Sequence, residues 1–193
     1  MIEYLAGIIA DKQIKNGRIA GCDRAIYQYG YILLMETGIN IMISITLGIL
    51  CHTLPEVFIF LLFFVPLRSY AGGWHMAHAW QCILITNVTI LFVAVGAIYF
   101  SRYCPGEVWL VADILSCTAI CVLSPIDTEA KPLEEEEKLL FRKKARMIGI
   151  GELLLNLILF FLNCNTFVYV ISMSHMLLVL SLFLEKNNKT KNT

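Results

Sequence analysis

The stretch ILITNVTILFVAVGAIYF, residues 83–100, contains no charged side chain, and it decides the fold class. Its length approaches the roughly 20 apolar residues that span the hydrocarbon core of a bilayer as a helix. The chain of 193 residues is 58% hydrophobic and only 16% charged, which is too little polar surface for a water-soluble globule of this size. Comparable apolar stretches cover residues 31–51, 54–67, 107–124, 148–162 and 167–184, of which 54–67 is short. The sequence therefore predicts an all-α polytopic membrane protein with about six transmembrane helices.

The basic residues predict how these spans are oriented, because cytoplasmic loops carry an excess of Lys and Arg. If the N-terminus is cytoplasmic and every stretch crosses once, all of the 15 Lys and Arg except Arg102 fall on the inside. The reverse orientation would place nearly all of them outside. We therefore expect both the N- and the C-terminus to be cytoplasmic. The formal net charge is zero, so the charge gives no reason to expect a nucleic-acid partner.

The chain shows no composition shift or internal repeat, which predicts a single integral-membrane domain over residues 1–193. Residues 1–30 begin with apolar side chains at helical spacing and continue with basic ones, which is typical of an amphipathic helix lying in the membrane interface. A loosely ordered tail is the alternative. Residues 125–147 contain the run EEEEKLLFRKKAR and are expected to form a charged cytoplasmic segment, either a plain solvated helix or a docking surface for a charged partner.

Residues 68–82, RSYAGGWHMAHAWQC, interrupt the apolar sequence and allow three interpretations. The segment could be an interfacial turn that ends one span at its glycine pair. It could be a metal site, because His75, His78 and Cys82 lie at i, i+3 and i+7 on one helical face. It could also be a thiol enzyme, in which a histidine beside Cys82 generates a thiolate nucleophile.

The residues of this segment resemble the motif of the accessory gene regulator B (AgrB) family, membrane endopeptidases that process quorum-sensing propeptides in Gram-positive bacteria. Arg68, the pair Gly72 and Gly73, His75 and Cys82 match the family's arginine, glycine pair, histidine and cysteine nucleophile. The steps from the arginine to the histidine and from the histidine to the cysteine are both seven residues, as in the family. The number of spans and the motif SPIDTEAKPL after the fourth stretch are similar as well.

The resemblance implies a multi-pass cysteine endopeptidase of the cell membrane, with 68–82 as its catalytic segment at the cytoplasmic side. Cys82 would cleave the C-terminal tail from a short, membrane-associated, AgrD-like propeptide through an acyl-enzyme thioester, with His75 as general base and then acid. The propeptide would then close to a thiolactone or lactone autoinducing peptide. The family implies no cofactor and no metal, contact with membrane lipids and a homodimer. The alternatives are a membrane metal-binding protein and a peptide exporter without proteolysis.

Three residues of the segment are candidates for substrate or oxyanion binding. Arg68 could hold a substrate carboxylate or stabilise developing negative charge, or it could simply extend its charged end to the headgroups. Gly72 and Gly73 could bring backbone N–H groups close to the oxyanion, because glycine permits a close approach.

The spacing within the segment also predicts its backbone. On a straight helix His75 and Cys82 would be separated by about 10.5 Å along the axis, too far for a hydrogen bond. We therefore expect a break around residues 72–75, with Cys82 in the first two turns of the third span. On a continuous helix His78, four residues before Cys82, would be the better-placed base.

Polar residues in other spans are secondary candidates. Glu36, Asp113 and Glu152 lie within apolar stretches, where ionisable groups usually face a partner or a cavity. One of them could orient His75, as the third residue of a cysteine-protease site does. Each could instead form a helix–helix hydrogen bond.

The remaining cysteines and histidines are interpreted as structural residues. The chain has 7 cysteines, an odd number at spacings that do not suggest disulfides. Cys117 and Cys121, four residues apart in the fourth stretch, are expected to pack as small apolar side chains. His52 and His175 have no cluster of titratable residues around them in the sequence, and we expect no special role for either.

Overall fold

A computed structural model describes residues 2–73, 79–126 and 134–192 of the protein. These residues form seven α-helices and no β-strand. The helices are α1 (Ile2–Lys15), α2 (Arg24–Leu50), α3 (Leu54–Ala71), α4 (Ala79–Tyr103), α5 (Gly106–Leu123), α6 (Glu135–Phe161) and α7 (Asn165–Asn192). The all-α prediction is confirmed.

Five of the described helices, α2, α3, α4, α5 and α7, are long and apolar enough to cross a membrane. The multi-pass character predicted from the apolar stretches is therefore confirmed. The stretch 148–162, predicted as a further span, forms the second half of α6. Because the first half of that helix carries the charged run that begins at Glu135, its apolar part is shorter than a full span. The short stretch 54–67 is extended by the last turn of α3, which includes Arg68.

The N-terminal helix predicted from the sequence is present and packs along the first half of α2. Arg24 donates two hydrogen bonds to the carboxylate of Asp11, at 2.7 and 3.1 Å. Gln28, one turn further along α2, donates to the carbonyl oxygen of Glu3, so the two helices run antiparallel. The hydrogen bonds from Arg24 hold the pKa of the Asp11 carboxyl below its ordinary value. The location of α1 in the membrane interface stays a prediction.

Helix α7 lies at the centre of the bundle and packs against α3, α4, α5 and α6. Val168, Ile171, Leu178 and Leu182 are fully buried along its length. The helices around it expose many large apolar side chains, such as Phe92 on α4. This distribution is expected of a membrane bundle, since its outer surface contacts lipid rather than water.

Helices α2, α3 and α4 pack against one another. The short turn Cys51–Thr53 joins α2 to α3, so these two helices run in opposite directions. The start of α3 packs near the end of α4, with Val57 in one core cluster with Ala94 and Ala97, whereas Arg68 near the end of α3 lines a cavity with Cys82 near the start of α4, so α3 and α4 are antiparallel as well. Helices α2 and α4 therefore run parallel. The depth of a residue on one can then be compared directly with the depth of a residue on the other.

The glycine pair ends α3. The helix stops at Ala71, and Gly72 and Gly73 have positive φ angles of 83° and 142°, which glycine adopts without steric cost. The backbone N–H of Ile126 donates to the carbonyl oxygen of Ala71 at 3.0 Å, and a Cβ on Gly72 would overlap the carbonyl oxygen of Ile126. The predicted break is confirmed at these two residues. The rest of it, including His75, lies outside the described residues.

Candidate active site

A cavity of about 570 Å³ lies between α2, α3 and α4, and both Arg68 and Cys82 line it. This volume is within the range of small-ligand and peptide side-chain pockets. Most of its wall is apolar, and its main side chains are Leu33, Leu34, Ile41, Leu61, Phe64, Val65 and Ile90. An apolar wall of this kind limits the access of water to any group bound inside.

A second cavity, of about 150 Å³, lies between α3, α4 and α7. Arg68 and Cys82 line this cavity as well. The two side chains therefore stand at the boundary between both cavities. The structure thus brings together the first and the last residue of the segment 68–82 that sequence analysis singled out.

Arg68 is held in place by α7. Its Nη1 donates a hydrogen bond to Oγ of Ser181 at 3.1 Å, and its guanidinium lies 5.6 Å from the centre of the Phe64 ring. Gly73 packs against the same pair, since a Cβ there would lie 2.6 Å from Ser181 Oγ and 3.5 Å from Arg68 Nη1. Sequence analysis missed Ser181, because one serine in an apolar stretch gives no sign of its distant partner.

Cys82 is a free, half-buried thiol. It follows Ala79, where the described part of α4 begins, by less than one turn. His75 and His78 lie outside the described residues, so the pairing of Cys82 with His75, and the alternative pairing with His78, stay predictions. The metal-site interpretation depends on the same two histidines. Within the described ranges, no group of three His, Cys, Asp or Glu is arranged to hold a metal ion.

A polar cross-link joins the two helices on either side of the larger cavity. Asn87 of α4 is buried; its Nδ2 donates to Oδ1 of Asn40 at 2.8 Å, and its Oδ1 accepts a hydrogen bond from Ser44 at 2.9 Å. Both partners belong to α2. Glu36, one turn before Asn40, lines the cavity with Arg68 and Cys82. Asn40 therefore forms a helix–helix hydrogen bond, whereas Glu36 lines the cavity.

The other two secondary candidates surround a different histidine. His175 Nδ1 lies 2.6 Å from Asp113 Oδ1, and His175 Nε2 lies 2.9 Å from Glu152 Oε2. Asn156 donates to the second oxygen of Asp113 at 2.7 Å. The side chains of His175 and Asp113 are 1% and 0% exposed, and none of the four residues lines either cavity.

This cluster corrects one interpretation from the sequence. The expectation that His175 has no cluster around it is wrong, because Asp113 and Glu152 hold it from two sides. Ionisable residues within apolar stretches did indicate that partners should exist. The partners could not be assigned, since Asp113 and His175 are 62 residues apart in the chain. Which residue orients His75 stays a prediction.

Comparison with known proteins indicates the same family as the motif of residues 68–82. A family model described as Accessory gene regulator B matches residues 2–182. Two relatives come from Clostridium perfringens, AgrB-like protein 2 of strain 13 and AgrB-like protein of strain SM101. Each is 27% identical over 154 residues, which is 76% of this chain and 71% of the relative. No solved structure matches the chain significantly.

Proposed function

Because the chain belongs to the accessory gene regulator B family, whose members process quorum-sensing propeptides, we propose that it is a membrane-embedded cysteine endopeptidase. Its substrate is a short AgrD-like propeptide, and Cys82 is its nucleophile. The observation that carries this proposal is the position of Cys82 and Arg68 at the boundary of two largely apolar cavities. A thiol beside a fixed cation, within a peptide-sized cavity, suits attack on a backbone carbonyl.

The first step transfers an acyl group to the enzyme. Sγ of Cys82 attacks the carbonyl carbon of the scissile peptide bond, so that a C–S bond forms and the C–N bond breaks. His75 accepts the thiol proton and delivers it to the leaving amine. The C-terminal tail of the propeptide departs, and the remaining peptide is held as a thioester.

The second step closes the ring. A thiol or hydroxyl of the bound peptide attacks the thioester carbonyl, so that the thiolactone or lactone bond forms and the bond to Cys82 breaks. The proton of the attacking group returns to the sulfur of Cys82. Hydrolysis would compete with this step, and the apolar cavity wall favours ring closure because it keeps water away from the thioester.

Arg68 stabilises negative charge in this scheme. Ser181 and Phe64 fix its guanidinium at the cavity wall, where it can bind a substrate carboxylate or the oxyanion of the tetrahedral intermediate. Gly73, which packs beside Arg68, can contribute its backbone N–H. The proposal includes an active site at the cytoplasmic side of a Gram-positive cell membrane, contact with membrane lipids and a homodimeric assembly.

The test is co-expression with each short reading frame that neighbours the gene, followed by mass spectrometry of the peptides. We expect a shortened, ring-closed peptide with the wild-type protein. Cys82→Ala should abolish it while leaving expression and membrane insertion intact. Cys121→Ala is the matched control, since Cys121 lines neither cavity, and it should retain cleavage. An exported but uncut peptide would instead indicate an exporter, and cleavage that survives in Cys82→Ala would exclude a thiol peptidase.

A further inference from the structure

We propose that Glu36 binds a positively charged group of the propeptide, a Lys or Arg side chain or a free amine, close to the bond that Cys82 cleaves. This inference rests on the proposed function and assigns a specificity to its site. With this assignment, the cavity binds a cation at Glu36 and an anion at Arg68.

The first observation is the charge of the larger cavity. Among the described residues that line it, Glu36 supplies the carboxylate and Arg68 supplies the guanidinium. They stand on different helices, Glu36 on α2 and Arg68 on α3. A peptide that enters between these helices meets both charges, as well as the thiol of Cys82 on α4.

The second observation is the helix register. Asn87 of α4 is bonded to Asn40 and Ser44 of α2, which fixes these parallel helices relative to each other. Glu36 precedes Asn40 by one turn, about 6 Å along the axis, and Cys82 precedes Asn87 by about 7.5 Å. Glu36 and Cys82 therefore lie at a similar depth, on two different helices that line the cavity.

The third observation is what surrounds each charge. Arg68 is already engaged by Ser181. Glu36, by contrast, makes no hydrogen bond or ion pair with the part of the chain that the structure describes. Glu3 of α1, which interacts with Glu36 electrostatically, is also acidic. A carboxylate between apolar helices is costly without a counter-charge, and a cationic group of the substrate would supply one.

The geometry limits where the cation can be. Packed helices have axes about 8–10 Å apart, and an extended peptide advances about 3.3 Å per residue. A group that reaches Glu36 while the scissile carbonyl is at Cys82 therefore lies within about three residues of the cleaved bond. The proposed endopeptidase is accordingly selective for propeptides with a basic group in this window.

The probe is a propeptide that the wild-type protein cleaves in a Cys82-dependent manner. Each position within about three residues of the scissile bond is made Lys, Gln or Glu in turn, and cleavage is quantified by mass spectrometry. Glu36→Gln should lower cleavage of the Lys-bearing peptide roughly tenfold and leave the Gln-bearing peptide nearly unchanged. Glu36→Lys should favour the Glu-bearing peptide over the Lys-bearing one. Glu107→Gln, an exposed carboxylate on α5, is the matched control and should follow the wild type.

The outcomes separate this inference from the proposed function. Equal cleavage of all three peptides by wild type and Glu36→Gln would overturn the cation site while leaving the peptidase in place. An equal loss for all three peptides in Glu36→Gln would also overturn it, because Glu36 would then act on the catalytic groups rather than on substrate charge. Absence of cleavage by the wild-type protein would remove the proposed function itself.

Discussion

Two groups of ionisable residues in the described part of this bundle, one around His175 and one around Cys82, differ in how their charges are compensated. Around His175, a histidine and two carboxylates bond to one another, and the side chains of His175 and Asp113 are almost completely buried. Around Cys82, the thiol, Arg68 and Glu36 line the larger cavity and come from three different helices. One site is closed and internally paired, whereas the other leaves room for a molecule that is not part of the chain.

A structural site and a binding site differ in whether their charges are compensated within the chain. Removing one partner of a buried ionic cluster leaves an uncompensated charge inside the bundle. Charges on a cavity wall can instead be compensated by a ligand. We therefore expect changes around His175 to act on stability and changes around Cys82 to act on peptide processing.

The largest expected effect on stability is that of His175→Ala. The substitution leaves Asp113 and Glu152 without the group between them, so the free energy of unfolding should fall by about 3–5 kcal/mol. Denaturant unfolding in detergent micelles measures this change. The triple change Asp113→Leu, Glu152→Leu and His175→Leu is the control, and it should recover much of the loss because no charge remains. If His175→Ala kept the wild-type stability but lost cleavage, the cluster would act in catalysis. The distinction between a structural cluster at His175 and a binding site at Cys82 would then be wrong.

We expect Gly73→Ala to lower stability less than His175→Ala does, but to lower propeptide cleavage clearly. The added methyl group would lie 2.6 Å from Ser181 Oγ, so it displaces the serine that holds Arg68, and the positive φ adds strain of about 1–3 kcal/mol. Cleavage of the co-expressed propeptide should fall roughly tenfold. Gly151→Ala, where the new methyl would extend into open space, is the control. Equal activity of both variants would contradict the role given to the Arg68 contact.

Asn87→Ala tests the cross-link between the two helices that bound the larger cavity. It removes the hydrogen bonds to Asn40 and Ser44, and interhelical hydrogen bonds in membrane proteins contribute about 1 kcal/mol. We expect a modest fall in the melting temperature and a larger KM for the propeptide, because α2 and α4 lose their fixed register. Thr118→Ala removes a hydrogen bond within a single helix and should change neither quantity as much. A KM equal to that of the wild type would weaken the register argument.

The smallest effect is expected at the exposed pair of Asp11 and Arg24. Because the pKa of Asp11 is held below its ordinary value of 3.8, its contribution is present above that value and is lost as the pH falls through the lowered pKa. The unfolding temperature of Asp11→Asn should therefore be close to that of the wild type at neutral pH, since exposed ion pairs contribute little to stability. The two proteins should also converge in strongly acidic solution. Thermal unfolding across this pH range measures the difference, and a large loss at neutral pH would show that the α1–α2 pairing is more important than its exposure indicates.

The sequence by itself determined the membrane class, most of the helices and the residues of the family motif from Arg68 to Cys82. Apolar stretches and basic loops report directly on the bilayer, since every residue of a span meets the same apolar solvent. The stretch 148–162 did not by itself determine a membrane span, because the same helix, α6, also contains the charged run before it. The motif from Arg68 to Cys82 was readable because its residues are close together in the chain.

Only the tertiary structure decided which distant side chains meet. It paired His175 with Asp113 and Glu152, Arg68 with Ser181, and Asn87 with Asn40, and it left Glu36 facing the cavity. The physical reason is that hydrogen bonds between helices depend on rotation and register. Rotation and register are both set by the packing of whole apolar faces. They cannot be inferred from a single polar residue in a long apolar helix.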